Sequence, residues 1–309
     1  MFPPKDPEFE QPRDSGLMVR EVPWRVTDVV GAITVTMLSV VAILSIAGAL
    51  GSSSGYETSI DSPQGFIIGI AMLGIGVVFL RVLKSALWPM VGSVGLAVVV
   101  IAVSYSLASE TPTGDAQFVG VPVSIIAATA MSGTFAAIGM AFSIINFRQP
   151  LSSLGFVRTS GIKPYVYAAG MWIIALTSLM VWLQLLVWLD VSPLLPPDTA
   201  SEALDSAGGN IVITVILVGL IGPFAEEVFF RGFMLSGLVK RFGTAKALII
   251  SSIVFGVFHI DPGAIVPTFV LGLALGWVYL KTGSIWPAIF GHGLHNTIAV
   301  LIAKYADVG

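Results

Sequence analysis

Five stretches of this chain, residues 29–50, 65–80, 87–107, 121–147 and 165–189, contain no charged residue at all. Runs of that length and polarity match the thickness of a bilayer, about 30 Å of hydrocarbon. No water is available there to satisfy backbone N–H and C=O groups, so the segment must bond to itself as a helix. The run 65–80 is the shortest at 16 residues and calls for little tilt or a locally thin membrane. Four more apolar runs follow, 211–240, 247–259, 264–280 and 285–303, and these hold the chain's only ionisable residues at membrane depth. The expected fold class is all-α, a polytopic membrane protein of about nine transmembrane helices. Composition agrees: 55% hydrophobic and 11% charged residues with a mean hydropathy of +0.92 are outside the range of soluble domains.

Loop charges give an orientation, because basic residues collect on the cytoplasmic side. Arg20 and Arg25, Arg81 and Lys84, Arg148, Arg158 and Lys163, Lys240, Arg241 and Lys246, and Lys281 fall in alternate loops. The intervening loops carry Glu57, Asp61, Glu110, Asp115, Asp190, Asp198, Glu202, Asp205 and Asp261 and no Lys or Arg. The amino terminus is expected in the cytoplasm of a multi-pass cell-membrane protein, with Trp24, Trp88 and Trp286 at the inner edge and Trp188 at the outer edge as an aromatic belt. Residues 1–27, with five prolines and nine charges, read as a disordered cytoplasmic tail. Residues 28–150 read as a four-span scaffold and 151–309 as a five-span catalytic domain. The loop 190–209 reads as an extracytoplasmic linker or lid. The chain has no cysteine, which excludes disulfides, thiolate metal sites and a cysteine nucleophile. A net charge of −3 without a polybasic run gives no support for nucleic-acid binding.

The sequence GPFAEEVFFRG, residues 222–232, sets Glu226, Glu227 and Arg231 inside an apolar run. A charge at membrane depth costs roughly 2.5–3.5 kcal/mol on insertion scales, so such residues mark a functional site by default. Adjacent helical residues point about 100° apart. Glu227 and Arg231, at i and i+4, suit an ion pair, which leaves Glu226 to face a cavity. His259 closes SIVFGVFH, and His292 and Asn296 share a helix face in GHGLHN. Counted at about 1.5 Å per residue from the basic loops, Glu226, His259 and His292 lie about 21, 20 and 17 Å into the membrane. His295, about 60° round the helix from His292, can line the same cavity, though packing is its simpler role. Asp261 in HIDPG reads as a helix-terminal loop residue. Gly222 and Pro223 are expected to kink the helix before Glu226 and free backbone groups.

A desolvated carboxylate, imidazoles and a side-chain amide in a cavity are the parts of a peptide hydrolase. Glu226 can activate water as general base, with His259 holding that water. His292 and Asn296 can donate to the oxyanion. The same Glu226, His259 and His292 could alternatively ligate Zn²⁺, although no HExxH occurs and the ligands would come from three helices. The expectation is no cofactor.

AEEVFFRG, FGVFH and GHGLHN resemble the EExxxR, FxxxH and HxxxN motifs of the CPBP intramembrane peptidases, the family of type II CAAX prenyl endopeptidases and bacterial Abi proteins. The likeness runs from about residue 151 to 303. It implies Glu226 as the catalytic glutamate, His259 as its partner, His292 and Asn296 as oxyanion donors, and Glu227, Arg231 and Phe255 as supporting residues. Its prenyl endopeptidase branch favours a glutamate-activated water without metal. The implied partners are the lipid bilayer and a membrane-associated peptide or protein substrate. Two other classes stay open: a non-catalytic immunity or scaffold protein, and a proton-coupled transporter, which should show repeats and broken helices that the sequence lacks.

Overall fold

The computed structural model describes residues 9–10, 16–52, 117–118, 121–259 and 261–306. Apart from two antiparallel pairs of two-residue strands, β1 (Phe9–Glu10) with β2 (Val19–Arg20) and β3 (Gln117–Phe118) with β4 (Val121–Pro122), the regular structure is helical. Helix α1 is Val26–Ser52, and Asp28 in its first turn reaches back to the Arg25 N–H. Helix α2 spans residues 123–146, its last six residues in a wider π turn. Helix α3 is Lys163–Leu189 and the short α4 is Thr199–Ser206. Helix α5 covers residues 211–242 and alternates between α and π winding. Gly243, at φ 72°, turns the chain into α6 (Thr244–Val257), which is followed by α7 (Pro262–Thr282) and α8 (Trp286–Tyr305).

Among the described residues, four stretches are long and apolar enough to cross a membrane: 129–146, 163–189, 262–282 and 211–257, the last of which contains α5, the turn at Gly243 and α6. The expected spans 65–80 and 87–107 lie outside the described residues. The total of nine spans rests on the apolar runs of the sequence, and the orientation of the amino terminus on the loop charges.

Caps and small residues set how these helices meet. Asn210 accepts from the N–H groups of Val212 and Ile213 and starts α5. Asp261 does the same for α7 through Gly263 and Ala264, so it opens a helix rather than ending one. Asp198 caps α4, and its hydrogen bonds from the Ser201 hydroxyl and N–H hold its carboxyl below the usual range. Where α5 crosses α8, a Cβ on Gly219 would come within 2.5 Å of the Thr297 hydroxyl, and one on Gly293 within 2.6 Å of the Gly219 carbonyl. Gly232 likewise has the Leu154 carbonyl 2.7 Å from where its Cβ would be. These glycines let backbones approach closely, which is how helices associate where lipid is as apolar as the side chains. In the loop 190–209, Leu195 packs its carbonyl against Gly263 with no room for a Cβ, and Lys304 donates to the Gly209 carbonyl.

The segment before α1 corrects two expectations. Residues 16–25 are not a free tail: Arg20 is buried and donates to the carbonyls of Ser152 and Gly283, while the Met18 N–H bonds the Leu280 carbonyl. Nor is Trp24 a belt residue facing lipid. It is fully buried, stacks on Phe233 with ring centroids 5.2 Å apart, donates its indole N–H to the Phe233 carbonyl at 2.9 Å, and has Gly237 pressed against it. The charge and proline content that argued for disorder was outweighed by one large aromatic side chain with a satisfied N–H. Trp24→Ala should therefore lower unfolding stability in detergent by about 3–5 kcal/mol. A loss under about 1 kcal/mol would show that residues 16–25 are not part of the cooperative fold.

Candidate functional site

The site grows from a defect in α5. Residues Val215–Ile221 are wound as a π-helix, and the Gly222 N–H accordingly bonds Leu217, five residues back. In that register the Val218 carbonyl would take its bond from residue 223. That residue is proline and has no N–H. The Asn296 side chain, arriving on α8, donates Nδ2 to the orphaned Val218 carbonyl at 2.9 Å. Pro223 thus creates the acceptor that anchors α8 about two turns before the two glutamates. The expected freeing of a backbone group is seen at this π-to-α transition, where the Val218 carbonyl is bonded by a side chain.

From here the polar side chains converge. Glu227 is wholly buried and its carboxylate has two partners: Oε2 lies 3.1 Å from Arg231 Nε, and Oε1 accepts from His292 Nδ1 at 2.9 Å. Arg231 is also buried, donates to the Gly272 carbonyl at 3.4 Å and lays its guanidinium 4.3 Å from the centre of the Phe255 ring. His292, nearly fully buried, turns its other nitrogen, Nε2, toward Glu226 Oε2 at 3.9 Å. Glu226 is different in kind. Its side chain is 24% exposed, and its Oε2, though enclosed, accepts no hydrogen bond. One imidazole therefore stands between two adjacent carboxylates, one wholly buried and paired with Arg231, the other partly exposed and without a close charged partner.

His259 lies at the end of α6, exposed, with Nδ1 bonded to the Phe255 carbonyl at 2.9 Å one turn back. That bond leaves Nε2 directed away from its own helix. Phe255 joins the two histidines: its ring packs edge-on against His259 at 5.0 Å and His292 at 5.8 Å. Glu226, Glu227, Arg231, Phe255 and His292 thus form one cluster, with His259 beside it across Phe255 and Asn296 one turn along α8 from His292. His295 sits on α8, partly buried, outside these contacts. Among the described residues no three His, Asp or Glu side chains are grouped as metal ligands would be.

Residues 208–298, which carry every member of this cluster, match a family model described as Rce1-like, type II CAAX prenyl endopeptidase. This stretch of the chain resembles the CAAX prenyl endopeptidases. A 92-residue stretch is also 29% identical to a Bacillus subtilis (strain 168) protein named "Putative membrane peptidase YdiL", covering 30% of this chain and 38% of that relative. The similarity thus reaches less than two fifths of the relative's length. No solved structure matches. The Rce1-like segment begins just before α5 and ends within α8, so the helices that press on it from outside, α1, α2 and α3, are not covered by the match. Its apolar helices and this likeness together make the chain a multi-pass membrane protein.

Two features of the cluster were missed by sequence reasoning. The Glu227–His292 hydrogen bond joins residues 65 apart and has no periodic signal. The bond from Asn296 to Val218 was half visible, since Pro223 announces a missing N–H but not who takes the carbonyl.

Proposed function

We propose that this protein is an intramembrane endopeptidase of the cell membrane that cleaves membrane-associated peptides or proteins with a water activated by Glu226. The observation that carries the reading is the difference in exposure and charge contact between the two glutamates: the Glu226 side chain is 24% exposed with its nearest cation-capable group at 3.9 Å, whereas Glu227 is fully buried between Arg231 at 3.1 Å and His292 at 2.9 Å. A general base needs a carboxylate within reach of water, and of the two glutamates only Glu226 has an exposed side chain that is not committed to an ion pair with Arg231. The likeness of residues 208–298 to a family of endopeptidases supports the same reaction class.

In this reading Glu226 takes a proton from water as the oxygen attacks the scissile carbonyl. The new C–O bond makes a tetrahedral oxyanion. Glu226 then returns the proton to the amide nitrogen as the C–N bond breaks, so the carboxylate is regenerated. His259, with Nδ1 tied to its own helix, offers Nε2 to hold the water or substrate. Asn296 has a second amide hydrogen beyond the one given to Val218, and that hydrogen serves the oxyanion. For His292 to donate from Nε2 while Nδ1–H is held by Glu227, the ring must carry both protons. Orienting Glu226, whose Oε2 lies 3.9 Å from Nε2, makes the same demand. No metal enters these steps.

The test is incubation of the purified protein with membrane-anchored peptides, with and without a chelator. Cleavage unchanged by chelation is expected. Zinc near one per chain, lost with activity and restoring it on return, would replace the glutamate mechanism with a metallopeptidase. Absence of cleavage of any membrane-anchored peptide would favour the binding-only alternatives.

A further inference from the structure

We propose that Phe135, on α2 and outside the Rce1-like segment, is a positioning residue that sets the separation between the helix bearing Glu226 and the helix bearing His259. The proposal rests on the functional reading above. Phe135 is buried, 7% exposed, and its ring meets Phe230 of α5 at 5.6 Å and Phe258 at 5.5 Å, the residue before His259. Phe230 and Phe258 meet each other at 5.5 Å. Three rings from three segments thus close a near-equilateral triangle, and a further edge contact at 5.4 Å joins Phe135 to Phe229. Aromatic pairs at these distances and tilted geometries have preferred arrangements, so each ring limits the other two.

What makes this triangle matter is how His259 is held. Its hydrogen bond and its ring contact both go to Phe255 on its own helix. Those local contacts fix the ring on α6 but not α6 against α5. Between the two helices near the site run the contacts of the Phe230 ring with Phe255 at 5.0 Å and Phe258 at 5.5 Å, the Arg231 guanidinium over Phe255 at 4.3 Å, and a long hydrogen bond of 3.4 Å from Ser251 to the Phe230 carbonyl. Phe135 backs that seam from behind. Removing its edge frees both rings to move, and with them the spacing of base and imidazole. Gly139, one turn further along α2, keeps the backbones of α2 and α5 near enough for this contact, with Phe229 Cα 3.5 Å from its would-be Cβ.

Phe142 supplies the matched control. It is equally buried on the same α2–π helix and packs on Phe233 at 5.3 Å, yet Phe233 faces Trp24 and not the histidines. Phe135→Leu is expected to lower kcat by up to about 10²-fold with KM nearly constant, the scale of loss when catalytic groups are misplaced by about 1 Å. Phe142→Leu should lose comparable thermal stability and keep kcat. Phe135→Trp, which restores an aromatic edge, should recover part of the rate. A second readout needs no activity. In this cysteine-free chain, Leu220→Cys on α5 and Val257→Cys on α6, both exposed, take spin labels, and Phe135→Leu should shift or broaden their distance distribution while Phe142→Leu leaves it unchanged. An unchanged distribution, or equal kcat losses in the two leucine variants, overturns the positioning role. A wild-type protein that cleaves nothing overturns the functional reading instead, and the label distances still decide the packing.

Discussion

Glu226→Gln should reduce turnover by about 10²–10⁴-fold, the contribution of a positioned general base, while leaving the protein folded and able to bind peptide. Glutamine keeps the size of the side chain and removes only its capacity to hold the transferred proton. The structure explains why folding should survive. Glu226 Oε2 accepts no hydrogen bond, and the nearest cation-capable group, His292 Nε2, is 3.9 Å away, so no strong contact is lost. The loss belongs in kcat, since the interaction acts in the transition state and not in binding. Near-normal cleavage by Glu226→Gln would remove this residue from the mechanism.

Glu227→Gln should fail for a different reason. Glu227 is fully buried and joins Arg231 Nε at 3.1 Å to His292 Nδ1 at 2.9 Å. Its carboxylate is the counter-charge of a guanidinium that is 1% exposed. Removing one partner of such a pair costs about 3–5 kcal/mol, because the other charge stays buried and uncompensated. The amide also turns two donor hydrogens toward a region where Arg231 already donates. Unfolding in detergent should show this as a large drop in stability, accompanied by loss of activity as His292 loses its orienting acceptor. Glu227→Gln combined with Arg231→Met removes both charges and should regain much of the stability without regaining the rate. If instead the single variant were fully stable and inactive, Glu227 and not Glu226 would be the base.

The two glutamates are adjacent in sequence, and what separates their roles was only partly visible there. A helix rises 1.5 Å and turns 100° per residue, so the Glu227–Arg231 pair followed from spacing alone, as did the common face of His292 and Asn296. The uncharged runs among the described residues determined helices in the same way, by leaving the backbone no other partner. Pro223 foretold a break in the helical hydrogen bonds. All of these are local facts, set within one turn of the chain.

Tertiary structure decided which turns meet. Glu227 receives His292, and Asn296 receives the Val218 carbonyl, because Gly219 and Gly293 let α5 and α8 come close enough to set their register, and no pattern within either helix encodes that choice. The segment around Arg20 and Trp24 looked like a solvated tail by composition, yet it docks on α5 and the α7–α8 turn, since burial of one indole with its N–H satisfied outweighs a local count of charges and prolines. Phe135 carried no signal at all: it is one aromatic residue in an apolar span until α2 lies against Phe230 and Phe258. Local periodicity fixes where a side chain points on its own helix. Close packing between helices fixes what it points at.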